Sequence, residues 1–197
     1  YHIFMANLLE KLQVRDVAIF SLSSDRGYDG VPGQVHRRGW QAVVVSDCLE
    51  DIRSMLLANA RHPRAAMERF HDVFTTILGS IEAGNFRVLA AALRDAAREL
   101  GRIPLKQPAD EVPVITLAGE IFVRRDGLSR RRLTEYLAER GFATACAPVS
   151  EWILYTDKVA REGWSDYRHN GVKARLRAWV KHQIMIRDER RILTALS

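Results

Sequence analysis

The sequence predicts an α/β protein: a small parallel sheet with a large helical block between its first and second strands. Short apolar runs at 16–22, 113–118 and 142–147 have strand length rather than helix length. Between the first two runs, residues 36–60, 64–83 and 86–100 place apolar side chains at helical spacing. From Pro113 to Ala147 the order is strand, polar loop, helix, strand, the order of two parallel strands joined by a crossover.

Residues 3–12 read as an amphipathic helix through Ile3, Leu8, Leu9 and Leu12. The first strand, Asp16–Leu22, leads into the polar loop SSDRGYDGVPG. That loop is neither GxGxxG nor a P-loop, because no Gly-Lys-Ser/Thr closes it, so it reads as turn chemistry. In the next helix Trp40, Val43, Val44, Leu49, Ile52 and Leu56 predict extensive burial. Gly84 and Asn85 separate the two helices that follow, which should form an antiparallel hairpin. The link GRIPLKQPADEVP carries three prolines and ends the block, which places the domain boundary there, with residues 1–108 before it and 109–197 after.

The second lobe opens with PVITLAGEIFVRRDGLS. Val114, Ile115 and Leu117 are strand formers, and Leu117 is expected to be buried from both faces of a central strand. Ser129 reads as the N-cap of a helix over 130–140. A helix from Ser150 to about Glu162 follows, with Trp152 in the core and Ser150 as a possible cap. The turn GWSDYRHNG precedes a basic helix, Val172–Leu196, with Leu176, Trp179, Val180, Ile184 and Ile192 on or near one face and Trp179 at a position that looks buried.

Composition bounds the function classes. Of 197 residues, 47% are hydrophobic and 27% charged, as in ordinary globular chains, and no apolar run is long enough to span a bilayer. The start YHIFMANLLEKLQ lacks a basic n-region and a small-residue cleavage site, so no signal peptide is expected. The first residue is Tyr1 rather than Met, and we expect a piece of a longer protein. Two cysteines, Cys48 and Cys146, make neither a disulfide framework nor a zinc pattern, which favours reduced thiols and a cytoplasmic setting. The formal net charge of +6 favours an anionic partner, although a solvated arginine-rich face has the same composition.

Ligands of open parallel sheets collect beyond the carboxyl ends of the strands. Glu120 stands there, as a candidate catalytic acid or base or as a structural acceptor tying the next loop to an amide or to Arg124. Arg124, Arg125 and Arg130, with Arg131 and Arg132, form a basic cluster suited to phosphate or an acidic protein face. Cys146, at the end of the last strand, reads as a buried thiol. His2, His36, His62, His71, His169 and His182 lack paired metal spacing.

The segment GEIFVRRDGLSRRRLTEYLAERGFATACAPVSEWILYTD resembles the 2-hydroxyacyl-CoA (2-hydroxyglutaryl-CoA) dehydratase D-component family. It is similar above all to that group's long CoA-substrate-specific enzyme activase-related proteins. The resemblance rests on Gly119, Glu120, Ile121, Phe122, Val123, Arg124, Ser129, Pro148, Glu151 and Trp152, and RRGWQAVVVSDCLEDIRSMLLANA at 37–60 extends it. It implies Rossmann-like parallel-sheet lobes and a parent system in which ATP-driven electron transfer through a [4Fe-4S] cluster activates a dehydratase acting on an acyl-CoA. It also implies that the main cluster ligands lie outside this sequence, with Cys146 at most a contributor and no cofactor held by the piece alone. The expected partners are the remaining parent domains, dehydratase subunits and acyl-CoA, with no membrane. The piece itself is read as structural or docking, inactive alone. The rival reading is a basic interaction module binding nucleic acid or an acidic protein through 172–196. The burial expected for Trp179 and the long turn before that helix argue against nucleic acid.

Overall fold

The computed structural model describes residues 2–19, 31–162 and 172–197. The chain divides into two compact units, Tyr1–Gly33 and Gln34–Ser197. In the first, helix α1 (His2–Lys11) matches the amphipathic segment. The strand expected at 16–22 does not form over Asp16–Ile19. Asp16 takes a left-handed φ of 64°, which turns the chain where extended backbone was expected. Residues 20–22, like most of the glycine-bearing loop and the turn 163–171, lie outside the described residues.

The helical block stands as read: α2 (Gly33–Asn59), α3 (Pro63–Glu82) and α4 (Phe86–Leu100). Pro63 opens α3, where its missing N–H costs nothing. The Asn85 side chain caps α4 by accepting the Arg87 amide at 2.9 Å. Gly84, at φ 68°, supplies the left-handed turn between the two helices. The core joins Trp40, Val44, Leu49 and Leu56 of α2 to Val73 and Ile77 of α3 and Leu89, Leu93 and Leu100 of α4. Met185, Ile192 and Ala195 complete it from the C-terminal helix, whose bounds are Val172–Leu196 (α9 in chain order). The proline-bearing link lies inside the second unit and is stitched to the end of α2. Ala60 and Leu105 form a bridge, the Lys106 amide donates to the Asn59 carbonyl at 2.8 Å, and the Asn59 side chain donates to the Gln107 carbonyl.

Strands β1 (Val114–Leu117) and β2 (Ala143–Cys146) pair in parallel, with Val114 opposite Ala143 and Leu117 opposite Cys146. They form a sheet of two strands, and this small parallel sheet in a mostly helical chain is what the α/β expectation becomes. Leu117 is half-buried, and Val114 and Thr116 are exposed, so β1 is covered on one face instead of lying at a sheet centre. The crossover also differs from the expected single helix. It is three short helices, α5 (Ile121–Arg125), α6 (Gly127–Arg130) and α7 (Leu133–Ala138). Asp126, not Ser129, is the cap: its carboxylate accepts the Ser129 amide at 2.8 Å. Arg131 and Arg132 follow at φ 43° and 60°, and two consecutive left-handed residues end any helix there.

Helix α8 (Val149–Glu162) and α9 close the chain, and two aromatic expectations change there. Trp152 is 47% exposed and Trp179 53% exposed. Helix α9 carries apolar residues on two faces, and periodicity alone does not choose between them. The inward register is set by Ala178, Met185, Ile192 and Ala195, by the fully buried Asp188, and by the Trp40 indole N–H donating to the Met185 carbonyl at 2.9 Å.

Candidate functional site

Gly119 follows β1 at φ 125°, a value that side-chain-bearing residues rarely adopt, and lets the chain turn sharply into α5. Glu120 is exposed, and its Oε2 accepts the Val123 amide at 3.3 Å, so this carboxylate caps the first turn of α5. Arg124 is buried, and its Nη1 donates to the Ala147 carbonyl just past β2. The Arg124 carbonyl in turn accepts the Cys146 S–H at 3.4 Å. Arg124 therefore joins the ends of the unit instead of pairing with Glu120.

The other two candidate arginines reach α2. Arg125 Nη2 donates to Asp47 Oδ1 at 2.6 Å, and Arg130 Nη1 donates to Glu50 Oε1 at 2.7 Å. Arg130 also donates to the Thr134 hydroxyl. Asp47 accepts the Val149 amide on Oδ1 at 3.0 Å and the Ser150 amide on Oδ2 at 2.9 Å. It thus caps α8 from another helix, the task the sequence offered to Ser150, and its charge meets the favourable end of the α8 dipole. Farther along α2, Asp51 accepts the Cys146 amide at 3.4 Å, and Ser54 Oγ accepts the Thr144 amide at 2.6 Å while sharing a hydrogen bond with the Thr144 hydroxyl. Arg53 donates to Glu135 at 2.6 Å.

Sequence reasoning did not single out Asp47, Glu50, Asp51 and Ser54. The signal was present: polar residues at 47, 51 and 54 follow helical spacing inside a helix otherwise expected to be buried. A buried helix with a polar stripe needs a polar partner.

The electrostatics are those of a packed seam. Burial pushes the Cys48 thiol up to about 11, and the charges of Asp47 and Asp51 push the same way, so it stays a thiol at neutral pH. Burial raises the Asp51 carboxyl against the opposing Cys146 amide and Arg125. Burial likewise raises Glu189, aided by Asp47. At the far side of α2, burial works against the charged form of Asp188. Arg37 donates to it through two nitrogens at 2.7 and 2.8 Å and Gln41 through its amide at 2.8 Å, and together they hold it below the usual carboxylate range.

Among the described residues no group of three or more His, Cys, Asp or Glu side chains could hold a metal ion. His182 instead pairs with Asp157 at 3.0 Å between α8 and α9, and His169 lies outside the described residues. A depression of about 440 Å³ is lined by Arg69, Asp95, Arg98, Glu99 and Arg102, none of them in the strand–helix unit. Four of its ions already pair, Arg69 with Glu99 at 2.7 Å and Arg98 with Asp95. The arrangement around the strand ends supplies the exposed carboxylate of Glu120 and the guanidinium groups of Arg124, Arg125 and Arg130, engaged within the chain. No protein-family model, curated protein or solved structure matches this chain.

Proposed function

We propose that this chain is a structural and docking portion of an activator- or dehydratase-like protein of the 2-hydroxyacyl-CoA dehydratase system, cytoplasmic, in which it contributes to Rossmann-like lobes. One observation carries the reading. The two stretches of resemblance, 37–60 and 119–157, meet in a single hub: Asp47 of the first receives Arg125, Val149 and Ser150 of the second. Residues that define one local pattern are thereby placed to support the other.

The donor set here does not fit a [4Fe-4S] cluster. Cys48 is held as a thiol by burial and two carboxylates, and the Cys146 S–H is engaged by the Arg124 carbonyl. No step is assigned to a cluster in this chain. Electron transfer, ATP use and the acyl-CoA site belong, in this reading, to the remainder of the parent protein and to dehydratase subunits.

The test is anaerobic purification of the longer product of the reading frame that contains this sequence. It should hydrolyse ATP and pass electrons to a 2-hydroxyacyl-CoA dehydratase, whereas this chain alone should take up no stoichiometric iron and sulfide on reconstitution. A longer product without ATPase activity or thiolate-bound iron would contradict the assignment. A second reading, a basic interaction module, is favoured by the outward face of α9, where exposed apolar residues lie among cations.

A further inference from the structure

The N-terminal half of α9 is apolar on two sides. Ala178 and Met185 are buried against the rest of the unit, while Leu176, Trp179, Val180 and Ile184 are 59%, 53%, 43% and 40% exposed. The four exposed residues follow one another at helical spacing and form one outward stripe. Large apolar side chains exposed on consecutive turns mark an interaction surface more than chance scatter does. Arg175, Arg177 and Lys181 flank the stripe and Lys173 stands in line at its N-terminal end, all exposed, and none pairs with a carboxylate among the described residues. The contrast with Arg37, Arg53, Arg125 and Arg130, each seated on an aspartate or glutamate, is direct.

The charge and chemistry of the stripe select its occupant. A second copy would set these cations against their own kind, on a chain whose formal net charge is already +6. A lipid surface would seat Gln183 and Arg187 at the middle of the outward face, where a guanidinium can snorkel to the headgroups but the shorter Gln183 amide meets acyl chains. A nucleic-acid duplex offers little to an apolar stripe at the centre of the contact. A protein helix with an apolar seam and carboxylates around it answers both kinds of group: the seam covers Trp179, the carboxylates pair with the four cations, and polar side chains of the same helix reach Gln183 and Arg187. We infer that the outward face of α9 docks an acidic amphipathic helix of a partner protein. This inference rests on the docking role proposed above and names the chemistry of what docks.

The test uses the full chain and two fluorescein-labelled helical peptides with the same leucine seam, one with glutamate flanks and one with lysine flanks. Phosphatidylserine-containing vesicles and a random DNA duplex are titrated in parallel. The glutamate peptide should bind at least about tenfold more tightly than the lysine peptide, and more weakly as salt rises. Trp179→Glu should abolish that binding. The double change Lys173→Glu and Arg177→Glu should shift preference toward the lysine peptide, with both variants melting as the parent chain does. Binding of neither peptide, equal binding of both, or tighter binding of vesicles or duplex overturns the inference. Because the system assignment is read from electron transfer by the longer protein, a negative peptide result leaves that assignment standing, and failed electron transfer leaves the peptide result standing.

Discussion

Helix α2 holds two neighbours by two different chemistries. Toward α3, α4 and α9 it presents Trp40, Val44, Leu49 and Leu56, which pack against branched and long apolar side chains. Toward the strand unit its apolar contribution is small. The core there is Ala58, Val112, Ala138 and Ala143, with Met55 and Leu57 at its edge. Alanines let backbones approach closely but remove little apolar surface from water, so attachment on that side depends on Asp47, Glu50, Asp51 and Ser54. Non-directional burial tolerates small shifts, whereas a hydrogen-bonded seam fixes the strand ends and the first turn of α8 in one place.

The largest expected effect tests the apolar side. Leu93 is fully buried, and Leu93→Ala should lower stability by about 2–5 kcal/mol in denaturant titration, with the whole unit unfolding together. Asp47→Ala should follow, at about 2–4 kcal/mol, because it strands Arg125 and two α8 amides at once. If it cost as little as an exposed substitution, the polar seam would be incidental.

A pH series sharpens the comparison. Glu189 and Asp51 have folded values raised by burial, so the folded chain binds protons more readily than the unfolded chain at these sites. Their penalty is present at neutral pH and is relieved as pH falls through the raised values toward the unfolded carboxylate range near about 4. Asp188 has the opposite sign: its contribution persists until pH falls below that range and through its depressed folded value. Glu189→Gln should therefore raise stability at neutral pH and flatten the gain on mild acidification, as read from melting temperatures between neutral pH and about 5. A variant with the parent's pH profile would contradict the assigned burial. The smallest effect is expected on the outward face of α9, where Trp179→Ser should change stability by less than about 0.5 kcal/mol while removing peptide binding.

The helical block was legible because α2, α3 and α4 have clear punctuation: Pro63 at one start, Gly84 and Asn85 at one break, and three prolines after Leu100. The pairing of β1 with β2 was legible from order alone. What the residues did not reveal depends on tertiary choice. Ser129 is a good cap in isolation, but Asp126 lies three residues earlier and the chain passes through left-handed Arg131 and Arg132. In α9 two apolar faces compete, and Asp188 with its partners Arg37 and Gln41, 151 and 147 residues away in sequence, decides which one turns inward. At the candidate site, Arg124, Arg125 and Arg130 were visible as a basic cluster. Their partners on α2 were visible only as a polar stripe whose meaning required the fold.

Native-state hydrogen exchange on Asp47→Ala tests most directly whether α2 holds its neighbours separately. Loss of the carboxylate should speed exchange at the Val149, Ser150 and Cys146 amides and through α5, while amides in the middle of α3 and α4 keep their protection relative to the variant's global stability. Equal acceleration across both regions, or unchanged exchange at Val149 and Ser150, would contradict it.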